Sequence, residues 1–420
     1  MLKLKSTVLV CSMAVASSSF GQDWPQWRGP GRDGKATGFE APKTWPKELT
    51  KKWKVTVGEG VATPALMGDK LYVFARADGA ETTRCLEAAS GKELWKDKYD
   101  SLGASGPASG FSGPRSSPAV ADGKVVTLGV RGVWSCLDAK EGKLLWRKDD
   151  FKGVTPKFYT ASSPLIVDDL CVAELGGPES GGVAACALAD GKEKWRWTGD
   201  GPSYSSPVLM SVAGTKAVIA MTDARIVALA LSDGKVLWET PYAVQGRGYN
   251  ASTPIVDGTT LIYSGSGRGA TAVKLEKKDG GLAATELWKN SDNSVMFDSP
   301  VLKDGLLYGL SAGNDLFCVT TSDGKTAWTA PSSKNAAPEG GGGGRMGRGR
   351  GGFGSVVDAG SVLVALTPSS ELIAFQPGEK AYSESARIKV AETPTYAYPV
   401  LSGNRLFIKD QDSVILYTLQ

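Results

Sequence analysis

Residues 137–146 read "LDAKEGKLLW", and the end of that stretch returns along the whole chain. "GKELW" closes at Trp95, "GKLLW" at Trp146, "GKEKW" at Trp195, "GKVLW" at Trp238 and "GKTAW" at Trp328. Looser copies, "ATELW" and "LTKKW", end at Trp288 and Trp53. Successive tryptophans stand about 40 to 50 residues apart, a period that means a solenoid, a propeller or an array. A second marker keeps the same beat. It begins at Thr63, Ser117, Ser163, Ser206, Thr253 and Ser299, each followed by proline, and continues at Ser355 and Tyr398.

Between the markers each unit reads as short strands. "AVADGKVVTLG" (119–129) is an apolar run, an Asp-Gly turn and another run, a strong hairpin signal. A third strand such as "VWSCLDA" follows, then the glycine turn and a fourth strand ending near tryptophan. Four antiparallel strands per unit, without helical periodicity, predict an all-β, eight-bladed β-propeller. Gly91, Gly142, Gly191, Gly234 and Gly324 supply positive φ at the turn. The lysine after each glycine reads as a solvated side chain. The tryptophans at 53, 95, 146, 195, 238, 288 and 328 read as wedges between blades, each with a broad face and one N–H to satisfy. The last unit, from Pro399, supplies only three strands. Its missing outer strand is "KKWKVTV" (51–57), so both chain ends close one sheet and leave the ring no open edge.

Residues 1–21 read as a secretory signal: Lys3 and Lys5, an apolar run, then small residues up to Gly21. That predicts export to the periplasm or beyond, with an N-terminal extension at 22–50 and the propeller at 51–420. No other stretch is long enough to span a bilayer. The formal charge is +4. Setting aside Lys3, Lys5, Arg345, Arg348 and Arg350 leaves −1, so no global field favours nucleic acid. The Gly/Arg-rich stretch 338–354 reads as a mobile insertion between blades.

The chain has no histidine, which removes the commonest general base and metal ligand. Five cysteines remain after cleavage. Cys85, Cys136, Cys186 and Cys318 read as copies of one third-strand position, equivalent to Ala228, and so as small core residues rather than ligands. "GSGRGA" (265–270) reads as a hairpin loop, because no helix follows to make a phosphate cradle.

The pattern Ala-x-Asp-x-x-x-Gly-x-x-x-Trp, closely carried by "LDAKEGKLLW" and "LALSDGKVLW", resembles the repeat of the PQQ-type β-propeller family over residues 50–420. The segment "WPQWRGPGRDG" (24–34) is similar to one that follows the signal in many exported bacterial propellers of this kind. The family includes the outer-membrane assembly lipoprotein BamB and the quinoprotein alcohol dehydrogenases. The resemblance to the enzymes implies a quinone held between a tryptophan and two adjacent cysteines, with calcium on a Glu/Asn/Asp set beside a catalytic Asp. This chain has no Cys-Cys pair and lacks the long insertions that build such pockets. Asn250 and Asp298 alone do not make a calcium site of six to eight oxygens. No catalytic residue, metal or cofactor is therefore expected.

The connections leading into the eight innermost strands should line one mouth of the central channel. They carry Phe111 and Arg115, Phe158 and Tyr159, Tyr204, Arg247 with Tyr249 and Asn250, then Phe297 and Asp298, and finally Phe353, Tyr396 and Tyr398. Such a rim can simply plug the channel, or it can bind a peptide strand or a sugar. The expected function is a monomeric, non-catalytic binding scaffold, BamB-like, holding envelope proteins or peptide segments. The alternatives are a quinone-dependent dehydrogenase and a polysaccharide-binding propeller.

Overall fold

The computed structural model describes residues 23–36, 38–244, 248–333 and 353–419. The signal and most of the Gly/Arg-rich stretch lie outside the described residues, as does Arg247. Eight four-stranded antiparallel sheets form the ring. Blades 1 to 7 run over 65–100, 119–148, 165–197, 208–241, 255–290, 301–331 and 355–389. Blade 8 is 400–418 plus the N-terminal strand Thr50–Thr56, which pairs with Ser413–Thr418 and sets Trp53 opposite Leu416. Strand order and closure are as the sequence predicts.

The repeated tryptophan docks on the next blade. In five of the seven motif tryptophans the indole N–H donates to the carbonyl of the residue just past the third strand of that blade: Trp53 to Ala88 (3.2 Å), Trp95 to Ala139 (3.2 Å), Trp146 to Leu188 (3.0 Å), Trp195 to Leu231 (2.8 Å) and Trp288 to Thr321 (2.7 Å). The indole face lies against the turn glycine of that same blade. A Cβ on Gly142 would stand 2.5 Å from Cδ2 of Trp95, and the glycine has φ +72°. The glycine thus answers two demands, a left-handed turn and contact with a ring from the neighbouring blade. Gly142→Ala is expected to cost about 1–3 kcal/mol from overpacking alone. Gly123 has φ +68° but open space around it. Gly123→Asn should therefore be close to neutral, whereas Gly142→Asn should not, and urea unfolding midpoints would show the contrast.

One cysteine assignment needs correction. Cys85, Cys136, Ala228 and Cys318 do pair with their motif tryptophans, but in blade 3 the partner of Trp195 is Ala185. Cys186 is one residue further on, and in a strand one residue reverses the face. It joins Cys136 and Cys171 in the core between blades 2 and 3. All five described cysteines are free and buried.

The Ser/Thr-Pro marker also has a physical basis. A residue before proline is held extended, and here its hydroxyl accepts the N–H of its counterpart one blade back. Thr63 N–H donates to Ser117 (3.0 Å), Ser117 to Ser163 (2.9 Å), Ser163 to Ser206 (2.9 Å), Ser206 to Thr253 (3.2 Å) and Thr253 to Ser299 (2.8 Å). The series passes over Ser355. Ser299 N–H reaches the Tyr398 hydroxyl (3.3 Å), and Tyr398 N–H returns to Thr63 Oγ1 (2.9 Å).

The N-terminal extension lies across the ring. Trp24 exchanges backbone hydrogen bonds with Leu66 of blade 1, and Pro25 accepts from Val120 of blade 2. The buried guanidinium of Arg32 donates to Ser163 O (3.0 Å) and Pro164 O (2.9 Å) of blade 3; that of Arg28 donates to Pro300 O (2.6 Å) beside blade 6. Further along, Ala36 N–H bonds Asp358 O (2.7 Å) in blade 7, and Glu40 N–H bonds Gly403 O (2.9 Å) in blade 8. Blade 7 carries no motif tryptophan. At the seam between blades 7 and 8, Ala36 and Phe39 of the extension enter the core with Val357 and Leu401 instead.

Candidate functional site

At the mouth formed by the connections into the first strands lies a bowl of about 360 Å³, within the usual range for small-ligand pockets. Phe158, Tyr204, Tyr249, Phe297, Phe353, Tyr396 and Phe111 follow one another around it. Phe158 and Tyr204 lie 6.2 Å apart, Tyr204 and Tyr249 5.8 Å, Tyr249 and Phe297 6.3 Å. Phe297 stacks on Phe353 (4.3 Å, 15°), which meets Tyr396 at 5.1 Å; Tyr396 then meets Phe111 edge-on at 4.8 Å. Edge-to-face and stacked contacts of this kind contribute about 0.5–1.5 kcal/mol each beyond burial, so the crown partly holds itself in place.

Sequence reasoning missed the floor. Trp27 of the extension also lines the bowl; its ring meets Tyr398 edge-on (4.7 Å) and its N–H donates to Thr253 Oγ1 (3.1 Å). The tryptophan-rich string 24–34 was visible, but nothing local shows which mouth it closes.

Arg115 lines the bowl, and no carboxylate accompanies it among the described lining residues. Its guanidinium donates to the carbonyls of Phe111 (2.9 Å), Ala108 (3.3 Å) and Gly113 (3.4 Å). Burial lowers its pKa to about 10, only partly opposed by the more distant Glu81.

Four predicted rim residues are placed elsewhere; one, Tyr398, is buried beneath Trp27, with its hydroxyl at Asp298 and Ser299. Tyr159, at φ +66°, turns its hydroxyl outward to Ser105 (2.7 Å). A left-handed residue next to Phe158 sends the second ring away from the channel. Asn250 is buried, and its amide donates to the carbonyls of Thr222 (2.9 Å), Asp223 (3.1 Å) and Tyr242 (3.0 Å). Asp298 is buried under the crown, accepting Leu310 N–H (2.8 Å), and its pKa rises to about 6 through burial. Asn250 and Asp298 hold the connections rather than face the bowl. The "GSGRGA" stretch is a hairpin turn as predicted, with Gly265 opposite Gly269. Arg268 within it lies 3.8 Å over the Tyr242 ring.

Two further acids, which the sequence reading passed over, support the crown from below. Glu174 accepts Ser203 N–H (3.3 Å), next to Tyr204; Glu81 accepts Val130 N–H (2.9 Å) and the Tyr99 hydroxyl. Glu174 has a signal in the sequence, a lone acid inside the apolar strand "LCVAEL", whereas Glu81 sits in the polar strand "AETTRCLE" and has none. Burial raises the Glu174 pKa to about 8. That folded value exceeds the ordinary one of about 4.3, so the neutral acid is favoured in the fold. Its stabilising share is complete below pH ~4.3 and disappears as pH rises through 8. Asp298 acts in the same direction over a lower window. Glu174→Gln keeps an acceptor for Ser203 and is expected to flatten the decline in melting temperature between pH 5 and pH 8; an unchanged pH profile would contradict this.

The donor set suits binding by shape rather than covalent chemistry or metal coordination. Among the described residues no group of three or more Cys, Asp or Glu side chains is placed to hold a metal ion. None of the described cysteines lines the bowl. A quinone clasped by a cysteine pair above calcium does not fit these residues.

The ring and its channel define the chain as an eight-bladed propeller of PQQ-type repeats. It belongs to the family described as outer membrane protein assembly factor BamB, whose match spans residues 36–198 and 81–330. It is 29% identical over 300 residues to outer membrane protein assembly factor BamB of Xanthomonas campestris pv. campestris, covering 66% of this chain and 71% of that one. In fold it is similar to BamB of Moraxella catarrhalis, with TM-score 0.62 and 14% identity over 88% of this chain and 99% of the other. It is also similar to the quinohemoprotein alcohol dehydrogenase of Comamonas testosteroni, with TM-score 0.67 and 14% identity over 94% and 80%. Among the described residues no helix is long and apolar enough to cross a membrane.

Proposed function

We propose that this chain is an exported, non-catalytic scaffold that holds other envelope proteins during outer-membrane protein assembly, and that the aromatic bowl is the holding surface. The observation that carries this reading is the bowl itself: half-exposed rings around a tryptophan floor, with its arginine bonded to backbone carbonyls and no acid or thiol among the described lining residues. Family membership supports the cellular role. The predicted signal at 1–21 supports export, and the unbroken ring supports action as a monomer.

The test is capture of partners from envelope extract by the purified full chain. Wild type is expected to retain specific proteins, and Tyr204→Ala with Tyr249→Ala to lose most of that retention while the circular dichroism spectrum stays unchanged. Retention insensitive to both changes would move the holding surface elsewhere. The dehydrogenase alternative predicts a quinone absorbance band after mixing with pyrroloquinoline quinone and calcium; none is expected, because the lining offers no carboxylate to share the ion.

A further inference from the structure

We propose that the bowl receives an aromatic side chain carried on an extended, acidic protein segment. This rests on the scaffold reading above and adds the chemistry of what is held.

Size sets the first limit. A cavity of about 360 Å³ admits one or two large side chains, whereas a whole helix with side chains is about 10–12 Å across. An extended backbone can lower one residue into the bowl while its neighbours lie on the face around it.

The wall sets the second. Three of the five hydroxyls among the described lining residues already accept a backbone N–H, leaving those of Tyr249 and Tyr396: Ser163 accepts Ser117 N–H (2.9 Å), Ser206 accepts Ser163 N–H (2.9 Å), and Tyr204 accepts Phe158 N–H (3.1 Å). A sugar entering here would give up hydrogen bonds to water and recover few, at a cost for each group left unpaired. An aromatic ring loses little on leaving water and gains the faces and edges of the crown.

Charge sets the third. Arg115 carries a partly desolvated positive charge whose hydrogen bonds go to neutral carbonyls. On the same flank Lys157 Nζ stands 5.6 Å from the centre of the Phe158 ring, and Arg131 stands 5.5 Å from that of Tyr159. Glu59 borders an adjoining hollow, where it takes the Ser112 hydroxyl. Acidic residues beside the aromatic anchor would meet the basic flank, and basic ones would be repelled by it.

The experiment is fluorescence anisotropy on the full chain with labelled peptides: a central Trp between Asp/Glu flanks, the same peptide with Ala at the centre, and the Trp peptide with Lys flanks. A glucan oligosaccharide serves as competitor. The acidic Trp peptide is expected to bind, and either peptide change to weaken it by about tenfold or more. Raising salt from about 0.05 to 0.5 M should weaken it as well. Tyr249→Ala and Arg115→Gln should each reduce binding. Lys157→Gln, at an exposed position with no fold to disturb, should do so less and only for acidic peptides. Equal binding of acidic and basic peptides, indifference to the central ring, or displacement by glucan would each overturn the proposal. If envelope partners are captured through the bowl while none of these peptides binds, this inference fails and the scaffold reading stands. Capture independent of the bowl removes both.

Discussion

Trp146→Ala is expected to lower the unfolding free energy by about 3–5 kcal/mol, the usual cost of deleting a buried large side chain. Trp146 is 8% exposed and packs edge-on against Trp134 at 5.7 Å. It lies on Gly191, where a Cβ would come within 2.8 Å of the indole, and donates to Leu188 O at 3.0 Å. Alanine leaves a cavity between blades 2 and 3 and leaves that carbonyl only the weak Cys136 thiol donor (3.8 Å). Trp146→Phe isolates the second effect: most of the contact remains, and the lost hydrogen bond should cost about 1–3 kcal/mol. Because blades dock in series, damage at one wedge weakens both neighbours through nearest-neighbour coupling. Urea titration followed by fluorescence and by circular dichroism would measure both variants. A loss below about 1 kcal/mol for the alanine change would mean that the wedges are dispensable.

Removing residues 23–40 is expected to destabilise the ring still more, and to do so first at the seam between blades 7 and 8. Trp24 has no exposed surface, and its loss alone accounts for about 3–5 kcal/mol. The deletion also strips the backbone bonds at Asp358 and Gly403, the only strand-like pairing that joins the extension to blades 7 and 8 among the described residues. It takes away Arg28 and Arg32, whose guanidinium groups bond carbonyls on opposite sides of the channel. Hydrogen exchange should rise first in strands Ser355–Asp358 and Val400–Ser402. Uniform loss of protection around all eight blades would show that the extension stabilises the ring without acting as a strap at that seam.

The limits of sequence reading show in particular residues. The aromatic crown was legible because each ring occupies the same place in a repeated connection, so one topology placed them all at one mouth. Tyr159 was not, since a single left-handed residue sends a ring outward and a neighbouring Phe158 gives no warning of it. Cys186 lies nine residues before its tryptophan where Cys136 lies ten, and only the register shows that this one residue puts it on the other face of the strand. Glu81 and Trp27 were missed because their partners are far away in the chain and no local pattern encodes a distant partner; the lone acid of "LCVAEL" marked Glu174 as unusual without showing which N–H it meets.

The amino-acid order by itself determined the eight units, their four strands, the turn glycines and the union of both termini in one sheet. These follow from spacing, alternation and turn chemistry, which act between near neighbours or repeat at a fixed period. Only the tertiary structure decided that the extension crosses the channel, that Trp27 becomes a floor and that Asn250 and Asp298 support rather than line the bowl. Those outcomes depend on which surfaces meet when the ring closes, a condition on the whole circuit that no single repeat contains.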